Sequence, residues 1–218
     1  MAIIPHRFLF RIAYRCRHVK AMPRAKGDRL LDLPDECRID NFAGMDEERN
    51  FAEVALAWNE QGIGVQAEVK GKAEPPAGDA SRPRSSDGVT VWLDTRDART
   101  SHRASSYCHQ FHFLATGGGP ERDQPLVVQT KINRALADAP LCAAEDVPFK
   151  VKTSARGYLL EAFLPAAVLY GYDPEQNRRL GLYYAVHDNE LGEQVLSVGA
   201  EFPYWEDPSL WSVLELVR

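Results

Sequence analysis

Apolar and polar residues alternate singly along most of this 218-residue chain. A period of two is the mark of strands that bury one face and wet the other. In the first segment Phe8, Phe10, Ile12, Tyr14 and Cys16 share one side, while Arg7, Arg11, Arg15 and Arg17 share the other. The spacing predicts an extra N-terminal strand within residues 1–29, with a solvated cationic stripe. Val54, Leu56 and Trp58 alternate, Asn59–Gly62 break the pattern, and Ile63, Val65, Ala67 and Val69 resume it. That is a β-hairpin around a polar, glycine-containing turn.

Further strands are expected at 87–94, 107–115, 126–132, 147–153, 157–165, 179–188 and 210–217. Short helical turns are expected at Ala135–Asp138 and at Pro165–Tyr170, the second opening with proline at a first helical position. Residues 71–87, GKAEPPAGDASRPRSSD, are rich in Pro, Gly and Ser and carry no apolar period. They read as a long flexible loop, of the kind that is usually functional or mobile. About ten strands joined by turns, with no alternating βα units, predict an all-β fold, an antiparallel, jelly-roll-like β-sandwich. Neither an internal repeat nor a break in composition divides the chain, so residues 1–218 read as a single domain.

Composition narrows the partners. The apolar fraction of 44% and charged fraction of 26% are those of a globular protein. No apolar run reaches the roughly 18 residues that span a bilayer, so no membrane partner is expected. The net charge of −5 argues against nucleic acid, although residues 1–30 hold eight lysines and arginines against one acid, Asp28. The basic N-terminus lacks the apolar stretch and small-residue cleavage site of a secretory signal, so a cytoplasmic location is expected. Cys16, Cys37, Cys108 and Cys142 are widely spread without a CxxC, and in a reducing compartment they read as free thiols.

The hairpin ending WNEQGIGVQAEVKGK, the strand DGVTVWLDTRD after a long loop and the QFHF strand form an ordered series. GYLLEAFLP, RLGLYYAVHDNELGEQ and the closing WEDPSLWSVLEL complete it. From about residue 30 onward this series resembles the family-nine carbohydrate-binding modules and the wider DOMON-like β-sandwiches. The resemblance implies a terminal sugar ring sandwiched between two tryptophans, with polar side chains bonding its hydroxyls. Trp205 matches one clamp position. Arg84 stands at the other, and Thr90 replaces the acidic residue expected in the Asp-x-Val strand. His112 occupies the basic position after the QF pair, Ala185 replaces a Gln, and Phe202 replaces an Asn. A guanidinium in the second jaw favours an anionic sugar or a phosphorylated ligand.

Trp58 shares a face with Val54 and Leu56 and reads as core. Trp92 alternates with Thr90 and Asp94, opposite Val89, Val91 and Leu93, which makes it a candidate outward platform. Trp211 reads as core or edge packing. His102, His109, His112 and Cys108 suggest zinc at first sight, but His109 and His112 point to opposite faces of an extended strand. For a haem of the DOMON kind only Met22 and Met45 are available beyond the initiator, neither in a matching segment. The loops DTRDAR and HDNE carry oxygen ligands of the kind structural calcium takes, yet Arg96 and Arg99 beside Asp94 and Asp97 read more simply as local ion pairs. No cofactor is therefore expected. The sequence holds no GxSxG, HExxH or phosphate-cradling loop. Gly117–Gly119 read as a flexible turn, and Glu68 and Glu161 as solvated strand charges rather than a glycosidase pair.

Two readings follow. The first is a non-catalytic carbohydrate-binding module with its ligand stacked on Trp205 and walled by Arg84, Trp92, His112 and Thr90. The alternative is an intracellular interaction or scaffold protein on the same sandwich, its sugar site lost, forming a homo-oligomer through an edge strand.

Overall fold

The computed structural model describes residues 10, 12–42 and 49–218. Arg7, Phe8, Arg11 and Met45 lie outside the described residues. The described chain contains eleven strands: β1 Ala13–His18, β2 Ala52–Asn59, β3 Gly62–Lys70, β4 Gly88–Asp94, β5 Cys108–Gly118, β6 Gln124–Thr130, β7 Phe149–Ser154, β8 Gly157–Pro165, β9 Arg179–Asp188, β10 Gly192–Val195 and β11 Ser212–Val217. They form one sheet in the order β6-β5-β4-β9-β11-β1-β2-β3-β8-β7, with β10 hairpinned onto β9. The path bends back until its two ends, β6 and β7, meet. The result is an all-β sandwich close to a barrel. No helix among the described residues is long and apolar enough to cross a membrane.

Two strand expectations need correction. β1 runs parallel to both β11 and β2, so the sheet is not wholly antiparallel. The four-residue β10 is additional, too short and polar for its period to show. Tyr14 and Cys16 are buried and Arg15 is exposed, as the alternation requires. Phe10, however, is 51% exposed, because the inward face begins only where pairing with β11 begins. The helical turn expected at Ala135–Asp138 does not form, whereas a 3₁₀ turn covers Ala166–Val168.

Inside the sandwich, Val54, Leu56 and Trp58 of β2 and Val65 and Val69 of β3 meet Val91, Leu93, Phe111 and Phe113 of the facing layer. The outer faces are not left bare. Residues 22–37 cross β2 and β8 and bury Met22, Leu30, Leu31 and Cys37 against Ala55, Ala57 and Phe163. Gly64 makes room for them, since a Cβ there would meet Met22 Sδ at 2.9 Å. Glu161 pins this crossing: its carboxylate accepts from the amides of Leu30, Leu31 and Asp32 and from Arg29 Nε at 2.8 Å. Burial alone would raise its pKa, but these donors outweigh that and hold it below the ordinary value.

Residues 71–87 are likewise tied to the sheet by side-chain contacts. Lys72, near the start, is buried, and its ammonium lies 3.0 Å from Asp87 Oδ2 and 2.7 Å from Asp188 Oδ1. Asp87 thereby ties the far end of the same segment to its beginning, and Asp188 ties both to β9. Burial disfavours the charged lysine, but the bonds to Asp188 and Asp87 prevail and raise its pKa. Ala77 N–H donates to Asp87 Oδ2 and Asp79 N–H to Ser86 Oγ, closing the segment on itself. Gly78 and Gly117 bring it down on β5: a Cβ on Gly78 would meet Thr116 O at 2.3 Å. Residues 71–87 are therefore a strap lying on the sheet.

Replacing Lys72 by Met leaves Asp87 and Asp188 buried without their cation, a change that costs about 3–5 kcal/mol. The exposed pair of Lys70 with Glu53 is worth under about 1 kcal/mol. Urea denaturation of Lys72→Met and Lys70→Met should reproduce that contrast, and equal, small losses would contradict the clamp.

Candidate functional site

The strap and the segment before β11 enclose a hollow on the outer face of β5 and β6. Its volume is ≈ 320 Å³, and its lining includes Arg84, Gln110, His112, Thr130, Lys131 and Trp205. Trp205 is held there by its neighbour. Tyr204 turns inward and stacks on Tyr183 at 4.4 Å, while its own ring meets Trp92 and Trp205 edge-on at 5.6 and 5.3 Å. Trp211 Nε1 donates to Tyr204 O at 2.7 Å, and Asp207 caps the 3₁₀ turn Pro208–Leu210 that follows. With Tyr204 buried, the next side chain is forced outward. Trp205 is half-buried and lines the hollow.

Trp92 corrects an expectation. It does lie on the outer face, opposite Val91 and Leu93, but Tyr204 and Tyr183 cover it and leave it 1% exposed. It is no platform, yet it shapes the floor. An indole N–H can only donate, and Trp92 Nε1 donates to Gln110 Oε1 at 2.8 Å. That fixes the amide so that Gln110 Nε2 faces His112 Nε2 at 2.9 Å. His112 Nε2 must then accept, so the ring proton sits on Nδ1 and is donated to Thr90 Oγ1 at 2.9 Å. The Thr130 hydroxyl, 2.9 Å from His112 Nε2, ends the chain at the hollow. Burial, helped by the nearby charge of Arg84, drives the His112 pKa down to about 4, so the relay is neutral near pH 7. Thr90 is buried beneath His112 and supports it instead of facing a ligand.

Arg84 lies across from Trp205. Its guanidinium carbon lies 5.3 Å from the indole centroid, and among the described residues no carboxylate pairs with it. Apolar contacts of about 3.5–4.0 Å on each side of a sugar ring require about 7–8 Å between the two jaws. The guanidinium must therefore lift by about 2–3 Å before a ring can enter. The side chain is exposed, so this costs only the cation–π contact, about 0.5–1 kcal/mol. Arg84 rests on the plate as a light cover.

The other candidates fall elsewhere. His109 points to the interior beside Phe111, and burial lowers its pKa to about 4. His102 lies at the surface, 3.0 Å from Asp207. Among the described residues no group of three or more His, Cys, Asp or Glu is arranged to hold a metal. Asp94 spends its carboxylate on the amides of Arg96 and Ala98, and Asp97 pairs with Arg99. Asp188 of the HDNE loop is occupied by Lys72. Met22 packs in the crossing segment, away from the hollow. Ala185 lies on the outer face next to Thr90, and the half-buried Phe202 packs on the core. A second hollow of ≈ 530 Å³ lies on β3, β7 and β8, but its one aromatic residue, Tyr158, is buried. Sequence reasoning missed Gln110, Thr130 and the Lys72 clamp. The alternation of Gln110 and His112, with Trp92 on the neighbouring strand, was the available signal for the first.

The described carbohydrate family 9 binding domain-like model matches residues 26–218. A family 9 carbohydrate-binding module from Caldicellulosiruptor kristjanssonii, solved with cellotriose, superposes with a TM-score of 0.63 at 17% identity. The match covers 94% of this chain and 93% of that one. A module from the same organism solved with glucose gives a TM-score of 0.59 at 17% identity, covering 93% and 95%. A comparison with curated proteins gives no match.

His112 makes the site's stability pH-dependent. Its folded pKa of about 4 lies below the unfolded value of about 6.5, so between these pH values the unfolded chain binds more protons. Stability should fall as pH drops from about 6.5 toward 4 and level off below. Between pH 7 and 4.5 the loss from this residue is about 2 kcal/mol. Unfolding free energies from urea titrations at the two pH values should differ less in His112→Gln by that amount, and an unchanged difference would mean His112 is already protonated in the fold.

Proposed function

The chain belongs to the carbohydrate family 9 binding domain-like family, and from that premise we propose that it holds the terminal sugar of a carbohydrate against Trp205, without catalysis. One observation carries the reading. An aromatic plate, anchored from behind by Tyr204, lines a hollow whose floor is the fixed polar row Gln110, His112 and Thr130. A pyranose offers an apolar C–H face and a polar rim, and this site offers a surface for each. At ≈ 320 Å³ the hollow is at the small end of ligand sites, suited to one or two sugar units. The related modules were solved with glucose, a single unit, and with cellotriose, a chain of three.

The carboxylates that a hydrolase would need are spent otherwise. Glu161 anchors residues 30–32, and Glu68 pairs with Lys70 on the outer surface. The site binds and releases.

Truncating the plate should remove most of the affinity. Trp205→Ala should weaken sugar binding about 30-fold or more, the ~2 kcal/mol of a central aromatic contact. Calorimetric titration with glucose, cellotriose, glucuronate and galacturonate measures it, with intrinsic fluorescence as a second readout in the wild type. An unchanged affinity in Trp205→Ala would place the sugar elsewhere.

A further inference from the structure

Resting on that reading of the Trp205 site, we infer that its preferred ligand is a sugar carrying a carboxylate, a hexuronate end, in place of a neutral hexose. Among the described residues three cations line the hollow, Arg82, Arg84 and Lys131, and no carboxylate does. Two of the cations have acidic neighbours outside the hollow. Lys131 pairs with Asp138 at 2.7 Å, and Arg82 has Asp79 at 4.0 Å. Arg84 has, among the described residues, only the indole face.

The entry step separates the two ligand classes. Any ring that lies on Trp205 must lift the guanidinium from it, so the cation loses its π partner. A neutral hexose offers hydroxyls in exchange. A hexuronate has the same ring with a carboxylate on its rim, and the planar guanidinium fork matches a carboxylate bidentately. The hydroxyl protons of a neutral sugar also need acceptors, and the floor offers them neutral oxygens, the Thr130 hydroxyl and the remaining lone pair of Gln110 Oε1, with no charge. His112 uses both nitrogens within the relay, and Trp92 takes the other lone pair of Gln110 Oε1. Thr90, buried under His112, supplies no acceptor charge to the hollow. The site is short of negative charge in the place where a neutral sugar would use it and where a uronate brings its own.

The test is the ratio of affinities for methyl glucuronoside and methyl glucoside, by calorimetry on the full chain, in the wild type, in Arg84→Gln and in the remote charge control Lys70→Gln. Glucose 6-phosphate serves as a further arm. The wild type and Lys70→Gln should prefer the uronate by about threefold to fivefold, the gain expected of one exposed ion pair. The ratio should fall to about one in Arg84→Gln, and in the wild type it should shrink as salt is raised from 0.05 to about 0.5 M. Equal binding of the two glycosides by the wild type would overturn the inference while leaving the carbohydrate reading intact. So would a preference that survives Arg84→Gln, or binding of the phosphate with none of the uronate. Binding of no sugar at all would remove the carbohydrate reading and this inference with it.

Discussion

One ammonium group holds the site in place. Lys72 sits between Asp87 and Asp188, and those three side chains join the start of the strap, its end and strand β9. Without that junction nothing in residues 71–87 has the apolar period needed to stay on the sheet. With it, the segment packs onto β5 through the close approach of Gly78 to Thr116 and carries Arg84 over Trp205. A buried ion cluster is a weak way to gain net stability but a strict way to fix geometry, because its desolvated charges tolerate one arrangement. The other layer uses the same device with the opposite sign. There a buried carboxylate, Glu161, fixes residues 29–32 over β8.

Above that junction, the site is built in two tiers. Trp92, Tyr183 and Tyr204 form a buried aromatic tier whose edge-on and stacked contacts leave Trp205 as the outermost ring. The polar tier beside it is ordered by a donor that can only donate. The Trp92 indole sets the Gln110 amide, the amide sets the His112 tautomer, and the one lone pair of Nε2 is shared by the Gln110 amide and the Thr130 hydroxyl. Each group in the row has its orientation settled before a ligand arrives, which is the preorganisation that makes small sites selective.

Much of the fold was legible in the sequence, because a strand's period survives in residue order. The hairpin of β2 and β3, the strands β4 to β9 and the inward face of β1 all follow from it. What was hidden depended on pairs distant in the chain. Residues 71–87 read as loose because the lysine that fastens them is one residue among many polar ones, and its partner Asp188 lies 116 positions away. Trp92 read as an outward plate because alternation gives a face but not what covers it, and Tyr204 covers it from 112 residues on. The parallel pairing of β1 has no local signature either. At the site, the resemblance placed Trp205 and Arg84 at facing positions, and the geometry puts them 5.3 Å apart. The role of Gln110 needed the indole beside it to be seen.

The central claim is that a sugar seats on Trp205 beneath Arg84. A titration of ¹⁵N-labelled protein with a monosaccharide, followed by heteronuclear NMR, tests it most directly because each of the four tryptophans reports through its own indole N–H. The account predicts that the Trp205 indole, the Arg84 side chain and the Gln110 amide shift together, with Trp58 and Trp211 unmoved. Shifts gathered instead around Lys152 and Arg156, at the larger hollow across the sandwich, would contradict it.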